Sequence, residues 1–163
     1  MRPDPRPAVS FYRSHVAHVR VRPHPHSVGD YGFGPGVSPR IRMLPASAQG
    51  DINSVLPAVD LLVTDYSSIA FDFALLARPI AFLAPDVDHY TATRGLYEPY
   101  RGFSGGTEVR TWSELLTLIG EPAALDRLAD HAGHLADTHQ KYRDGRNTER
   151  VYEELLTRLG GQA

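Results

Sequence analysis

The prediction of the fold starts from the stretch Val59-Asp60-Leu61-Leu62-Val63-Thr64-Asp65-Tyr66-Ser67-Ser68-Ile69-Ala70-Phe71-Asp72-Phe73-Ala74, which passes from an apolar run through two serine hydroxyls to a second apolar run. Residues 61–63 predict a strand buried on both faces, and residues 69–76 predict a helix packed deep in an α/β layer. The two serines would then lie where a strand ends and a helix begins. Since ligands collect at the carboxyl ends of strands and helix N-termini favour anions, this position predicts a phosphate site.

Further strands are predicted on both sides of this stretch, at residues 18–22, 40–44 and 78–83. Short helices are expected from Ser10 to His18, with Ser10 as N-cap, and after Asp51 as far as Pro57. The capping box at 111–114 opens another helix, a further one follows Pro122, and a last one carries Val151, Leu155, Leu156 and Leu159. Residues 86–106 are expected to be irregular. Strands that alternate with helices indicate an α/β fold with a parallel sheet.

Composition restricts the function classes. The 163 residues fit one domain of ordinary size, and a formal net charge of −2 provides no overall field for nucleic acid. The absence of cysteine excludes disulfides and thiolate chemistry. The longest apolar runs are short and the N-terminus lacks a hydrophobic signal core, so we expect an intracellular protein with no transmembrane segment.

Each candidate site residue has a structural alternative. Ser67 and Ser68 are either phosphate ligands or simple helix caps. His24 and His26 either act beside Arg22 at a strand's carboxyl end or are exposed loop residues. His131 and His134 have the i, i+3 spacing of metal ligands, but nothing completes a site there and a solvated face is expected. Asp72 is expected to be a structural acid paired inside, and the sequence contains no catalytic triad, Walker loop or dinucleotide fingerprint.

Several short motifs follow one another along the chain: Arg22-Pro23-His24-Pro25, Thr64-Asp65-Tyr66-Ser67-Ser68, Phe71-Asp72-Phe73-Ala74, Arg78-Pro79-Ile80, the segment 86–90, Arg94-Gly95-Leu96-Tyr97 and the segment 144–151. Together they resemble the CDP-glycerol glycerophosphotransferase family of teichoic acid synthesis. Order and spacing are similar over residues 18–156, and the most specific part is 65–97. The resemblance implies the Rossmann-like, carboxyl-terminal half of a GT-B transferase. The prolines at positions 3, 5 and 7 predict a disordered tail at residues 1–9. The resemblance implies that residues 10–163 are a Rossmann-like CDP-glycerol-binding domain that forms part of a GT-B enzyme.

The resemblance also implies a set of donor-binding residues. Arg22 and His24 match the family's Arg-x-His donor site, and Ser67 with Ser68 match its diphosphate-contacting serines. An acid that follows the Arg-Gly-aromatic-Tyr motif meets the donor, and Glu98 is the nearest acid here, with Pro99 after it. Asp65 and Arg94 belong to the same motifs and are expected to support the site. No cofactor and no metal are expected.

The family's acceptor domain, which supplies a histidine base, has no counterpart in these 163 residues. The catalytic residue is therefore unknown, and the chain is expected to be a fragment, a mis-started reading frame or a degenerate copy that is inactive alone. Transfer to a polymer or lipid-linked acceptor would need the missing domain. The full-length protein is expected to be cytoplasmic and peripheral on the inner face of the cell membrane. A different GT-B nucleotide-sugar transferase and a non-catalytic nucleotide-binding remnant are the alternatives.

Overall fold

A computed structural model of the chain describes residues 18–23, 39–48 and 50–160. The chain divides into two compact units, one ending at Asp60 and one beginning at Leu61. The expected tail at 1–9, most of the expected helix from Ser10 to His18, and the pair His24 and His26 lie outside the described residues. The extent of a single domain over 10–163 stays a prediction.

The first unit contains two short parallel strands. Strand β1 (Val19–Val21) pairs with β2 (Ile41–Met43), and Val19 stands opposite Ile41. Both strands were predicted. The short helix expected after Asp51 is instead a series of turns followed by a 3-10 helix at Leu56–Ala58. Asp51 still acts locally, because its Oδ1 accepts a hydrogen bond from the backbone N–H of Asn53 at 2.9 Å.

The second unit alternates strands and helices. Its strands β3 (Leu62–Thr64) and β4 (Ile80–Phe82) are parallel, and Val63 stands opposite Ala81. Val109 adds an isolated parallel bridge to Leu83 beside β4. The helices are α1 (Ile69–Ala74), α2 (Val87–Arg94), α3 (Tyr100–Ser104), α4 (Trp112–Gly120), α5 (Pro122–His139) and α6 (Asn147–Gly160). Parallel strands with flanking helices confirm the predicted α/β class.

The core of this unit lies between β4, α1 and α5. All three residues of β4 are buried, which is typical of a parallel strand covered on both faces. Helix α1 buries Ala70, Phe73 and Ala74 against it, and α5 contributes an apolar stripe at helical spacing: Ala124, Leu125, Leu128, Ala132, Leu135 and Ala136. The core therefore holds the carboxyl end of β4 and the start of α1 in a defined geometry.

Two expectations of burial were wrong. Val63 is 38% exposed, so β3 is not buried on both faces; among the described residues of this unit it pairs only with β4. Asp72 is exposed and not an internal acid, because the buried face of α1 follows i, i+3, i+4 spacing from Ala70 and Asp72 falls outside it.

Two further expectations need correction. Residues 86–106 are not irregular but contain α2 and α3, whose few apolar positions gave no periodic signal. His131 is half-buried and not on a solvated face, because it packs against α3, where the carbonyl oxygen of Phe103 accepts a hydrogen bond from its Nε2 at 2.9 Å. His134 is exposed, as expected.

Candidate functional site

The candidate site is the edge of the second unit at which the parallel strands end. Because β3 and β4 run in the same direction, residues 65–68 and residues 83–86 leave the sheet at the same edge. The chain after Val109 leaves there too, since Val109 is bridged in parallel to Leu83. Three chain segments therefore converge where ligands bind in open α/β sheets.

Ser67 and Ser68 are both exposed at this edge. Ser68 occupies the N-cap position of α1 but makes no side-chain capping hydrogen bond. Ser67 Oγ accepts from the N–H of Ile69 at 3.5 Å, which is at the long limit for a hydrogen bond. Helix capping alone therefore does not explain why serines occupy both positions. Helix α1 does start directly after them, as predicted.

Three tyrosines hold the turn that carries these serines. The ring of Tyr66 stacks on Tyr90 of α2 with centroids 3.8 Å apart and planes 13° apart. The ring centroid of Tyr100 in α3 lies 5.2 Å from that of Tyr66, and the two ring planes are tilted by 55°. The hydroxyl of Tyr100 donates a 2.9 Å hydrogen bond to the carbonyl oxygen of Asp65. Both α2 and α3 thus contact the β3–α1 turn.

Asp86 links the ends of the two strands. Its Oδ1 accepts a 2.8 Å hydrogen bond from the hydroxyl of Tyr66. Burial, and then the hydrogen bond to Asp86, raise the pKa of Tyr66 well above its usual value. Burial likewise raises the pKa of Tyr100. Both hydroxyls therefore keep their protons and remain hydrogen-bond donors throughout the physiological range.

The structure brings only some of the predicted site residues together. Asp65 lies two residues before Ser67, and its Oδ1 accepts a hydrogen bond from the N–H of Tyr66 at 2.7 Å, within the turn that carries the serines. Arg22 lies in the first unit, where its Nη2 donates to the carbonyl oxygen of Gly50 at 3.2 Å. His24 is outside the described residues. The donor-site roles of Arg22 and His24 stay predictions.

Glu98 and Arg94 belong to the second unit. Arg94 is the exposed last residue of α2. Glu98 lies in the loop before α3, where its Oε1 is 3.7 Å from Nε2 of His139, the last residue of α5. The ring of His139 also packs 4.8 Å from that of Phe71 in α1. Glu98 thus lies beside the end of α5, a proximity that the sequence did not indicate.

A further cation lies at the same edge. Arg110 follows the Val109 bridge, and its Nη1 is 2.7 Å from Oδ2 of Asp88. The hydrogen bond to Arg110 lowers the pKa of Asp88. Both side chains are largely exposed, so this ion pair is weakly held and both charges face solvent.

The described ranges contain neither a metal-binding cluster nor a helix that could span a membrane. Across residues 18–23, 39–48 and 50–160, no group of three or more histidine, aspartate or glutamate side chains could hold a metal ion. No helix in the described part of the chain is long and apolar enough to cross a membrane.

Sequence reasoning missed the contacts that organise this edge. The sequence motifs give Tyr66 no role of its own, and Asp86, Tyr90 and Tyr100 fall in a segment that the sequence predicts to be irregular. Their contacts join residues 20 and 35 positions apart. Periodicity reports neighbours within one helix or strand, so it carries no signal for such pairs. The concentration of tyrosines after two predicted strand ends was the one available indication.

Comparison with known proteins gives consistent results. The teichoic acid ribitol-phosphate polymerase TarL of Staphylococcus aureus is 37% identical over 110 residues, which are 65% of this chain and 18% of that protein. The teichoic acid poly(glycerol phosphate) polymerase of Bacillus subtilis is 36% identical over 107 residues, 64% of this chain and 14% of that protein. The chain thus spans about a fifth or less of the length of these relatives.

A solved structure shares the fold. The wall teichoic acid polymerase TagF superposes with a TM-score of 0.56 at 23% identity, covering 74% of this chain and 30% of that one. The model of the CDP-glycerol:poly(glycerophosphate) glycerophosphotransferase family matches residues 9–157, nearly the whole sequence. The resemblance inferred from the motifs is thereby confirmed, and the chain belongs to the CDP-glycerol:poly(glycerophosphate) glycerophosphotransferase family.

Proposed function

We propose that this chain is the donor-binding part of a glycerophosphotransferase that moves glycerol phosphate from CDP-glycerol to a teichoic-acid-type acceptor. The observation that carries the proposal is the family match over residues 9–157. The relatives named above support it, because they are polymerases of glycerol phosphate or ribitol phosphate. A GT-B architecture, with this chain as most of its Rossmann-like half, is part of the same proposal, as is a cytoplasmic position on the inner face of the membrane.

The proposed reaction is attack of an acceptor hydroxyl on the β-phosphorus of CDP-glycerol. A new oxygen–phosphorus bond forms, the bond to the bridging oxygen breaks, and CMP leaves with the bonding pair. The hydroxyl proton passes to a base outside the described residues. The role proposed for this chain is to hold the donor's diphosphate and to stabilise the charge that develops on the leaving phosphate.

The exposed pair Ser67 and Ser68 is the proposed diphosphate contact. Their hydroxyls stand at the carboxyl end of β3, and Ser68 makes no capping bond to α1. Glu98, with Asp65 and Arg94 in support, completes the part of the proposed donor site that belongs to this unit, and the donor-binding roles of Arg22 and His24 stay predictions from the sequence. Diphosphate carries several negative charges, so a cation is needed besides the hydroxyls, and Arg94 or Arg110 at the same unit's surface is available for this.

Calorimetric titration with CDP-glycerol, CDP, cytidine and a UDP-sugar tests the proposal. The parent chain should bind CDP-glycerol and CDP, and should bind the UDP-sugar more weakly. Ser67→Ala and Ser68→Ala should weaken CDP binding about ten-fold, since a hydrogen bond to a charged group contributes roughly 1.5 to 3 kcal/mol. Cytidine, which has no phosphate, should bind both variants as it binds the parent.

Thr111→Ala is the matched control for a cap. Thr111 is a true N-cap, whose Oγ1 accepts from the N–H of Glu114 at 3.2 Å within a complete capping box. Its loss should lower stability by about 1 kcal/mol and leave CDP affinity unchanged. Serine variants that behave like Thr111→Ala, losing stability but not CDP affinity, would show that Ser67 and Ser68 are caps only. A parent that prefers the UDP-sugar would instead favour a nucleotide-sugar transferase.

A further inference from the structure

We infer that Tyr66 and Asp86 form a clasp between the two strand ends, and that this clasp positions the Ser67–Ser68 turn to receive the donor's diphosphate. The inference rests on the proposed function and deepens it. It concerns two side chains to which the family resemblance assigned no role. Both are positioning residues, which act on the ligand through the serines.

Asp86 does not cap the helix that it precedes. It occupies the N-cap position of α2, where an aspartate normally accepts a hydrogen bond from the first turn of the helix. Asp86 makes no such bond, and its carboxylate instead accepts from the hydroxyl of Tyr66, twenty residues away along the chain. The side chain is therefore used to tie the β4–α2 connection to the β3–α1 turn.

The ring of Tyr66 packs against both α2 and α3. Its ring is stacked on Tyr90 at 3.8 Å and contacts Tyr100 at 5.2 Å, so α2 and α3 both restrain its orientation. Tyr100 also donates to the carbonyl oxygen of Asp65, the residue before Tyr66. The backbone is thus held on one side of the serines by two independent tyrosine hydroxyls.

The hydroxyls of Ser67 and Ser68 are weakly held by hydrogen bonds within their own turn. Ser68 makes no capping bond, and the bond that Ser67 accepts from Ile69 is 3.5 Å long. Helix α1 is only six residues long, too short to fix its own first turn. The orientation of both hydroxyls therefore depends on the tertiary contacts made by the residue directly before them. A misplacement of about 1 Å is enough to lose much of the benefit of a binding group.

The test compares substitutions that remove either the hydroxyl of Tyr66 or the carboxylate of Asp86. Tyr66→Phe keeps the ring and removes the hydroxyl. Asp86→Ala removes the acceptor, but it also removes a negative charge that opposes diphosphate binding. Asp86→Asn removes the same charge and keeps an oxygen acceptor, so the comparison of these two variants isolates the clasp. Tyr152→Phe, at an exposed position of α6, is the control for loss of a tyrosine hydroxyl.

Two measurements are expected to agree. CDP should bind Tyr66→Phe about five- to ten-fold more weakly than the parent, and Asp86→Ala about five- to ten-fold more weakly than Asp86→Asn. The double variant Tyr66→Phe with Asp86→Ala should be no weaker than Asp86→Ala alone, because both changes break one interaction. Cytidine affinity should stay the same in all of these variants.

In the ligand-free chain, amide hydrogen exchange at residues 67–71 should be faster in Tyr66→Phe and Asp86→Ala than in the parent, but not in Tyr152→Phe.

The inference is overturned if Asp86→Ala and Asp86→Asn bind CDP equally, or if the two losses add in the double variant. Equal losses for cytidine and CDP would also overturn it, since they indicate a deformed pocket. A parent that binds no CDP would refute the proposed function, and the exchange data would still decide whether the clasp holds the turn. Unchanged exchange in Tyr66→Phe would then refute the clasp as well.

Discussion

Gly105 shows how a single residue carries a tertiary requirement. It ends α3 in the left-handed region with φ of 65°, which side chains rarely adopt. A Cβ at this position would lie 2.6 Å from Nδ1 of His131, the half-buried histidine that also bonds to Phe103. The glycine is thus needed both for the backbone turn and for the approach of α5.

Gly105→Ala should therefore destabilise the protein by at least about 1 to 2 kcal/mol, the cost of the left-handed conformation alone, plus the displacement of His131. Urea denaturation of the purified chain measures this as a lower midpoint. Gly133→Ala is the matched control, because Gly133 lies within α5 and a Cβ there would meet no atom within 4 Å. That variant should gain roughly 0.5 to 1 kcal/mol from helix propensity. A similar loss in both variants would contradict the role given to Gly105.

At the scale of elements, patterns between residues close along the chain predict helices correctly, whereas a helix held by contacts between distant segments has no such pattern. The capping box at Thr111 and Glu114 predicted the start of α4, since both of its hydrogen bonds join residues three positions apart. The apolar spacing of α5 predicted that helix and its buried stripe. Helix α2 has neither a capping box nor an apolar stripe, and Val87 is its only buried residue. The helix is held in place by the stacking of Tyr90 on Tyr66. Its formation depends on contacts that span two strands.

The start of α6 gives a prediction for pH dependence. Asp144 accepts hydrogen bonds from the guanidinium of Arg150, the nearer one at 2.5 Å, and from the backbone N–H of Arg146 at 3.2 Å. The bond to Arg150 is the main reason that the pKa of Asp144 falls from 3.8 to about 2. Because the folded-state pKa is the lower one, this carboxylate stabilises the fold above about pH 4, and its contribution is lost as the pH falls towards 2.

Asp144→Asn should accordingly lower the melting temperature at pH 5 to 7, and the difference from the parent should shrink as the pH falls from about 4 to about 2. Thermal scans monitored by circular dichroism give this difference. The Asp144 side chain is exposed to solvent, so 1 M salt should reduce the difference at neutral pH. A difference that grows on acidification would show that the sign of this contribution is wrong.

For the molecule as a whole, stability of the second unit is expected to depend on α5. Leu128 is fully buried where α5 meets β4, α1 and α4, whereas Leu156 on α6 is 52% exposed. Leu128→Ala should cost about 2 to 5 kcal/mol, because it removes buried methyl groups and leaves a cavity. Leu156→Ala should change stability by less than about 0.5 kcal/mol. Urea midpoints of the two variants decide the point, and comparable losses would mean that α6 is packed more tightly than its exposure indicates.

Patterns between residues that are close along the chain are sufficient to predict the α/β class, the parallel direction of the strands, the positions of β3, β4, α1, α4, α5 and α6, and the family. Apolar periodicity, caps and motif spacing are patterns of this kind. The exposure of Val63 and Asp72, the packing of His131 on α3 and the contact of Tyr66 with Asp86 are known only from the folded chain. Burial and side-chain partners are set by segments distant in sequence, and no local pattern encodes how those segments approach one another.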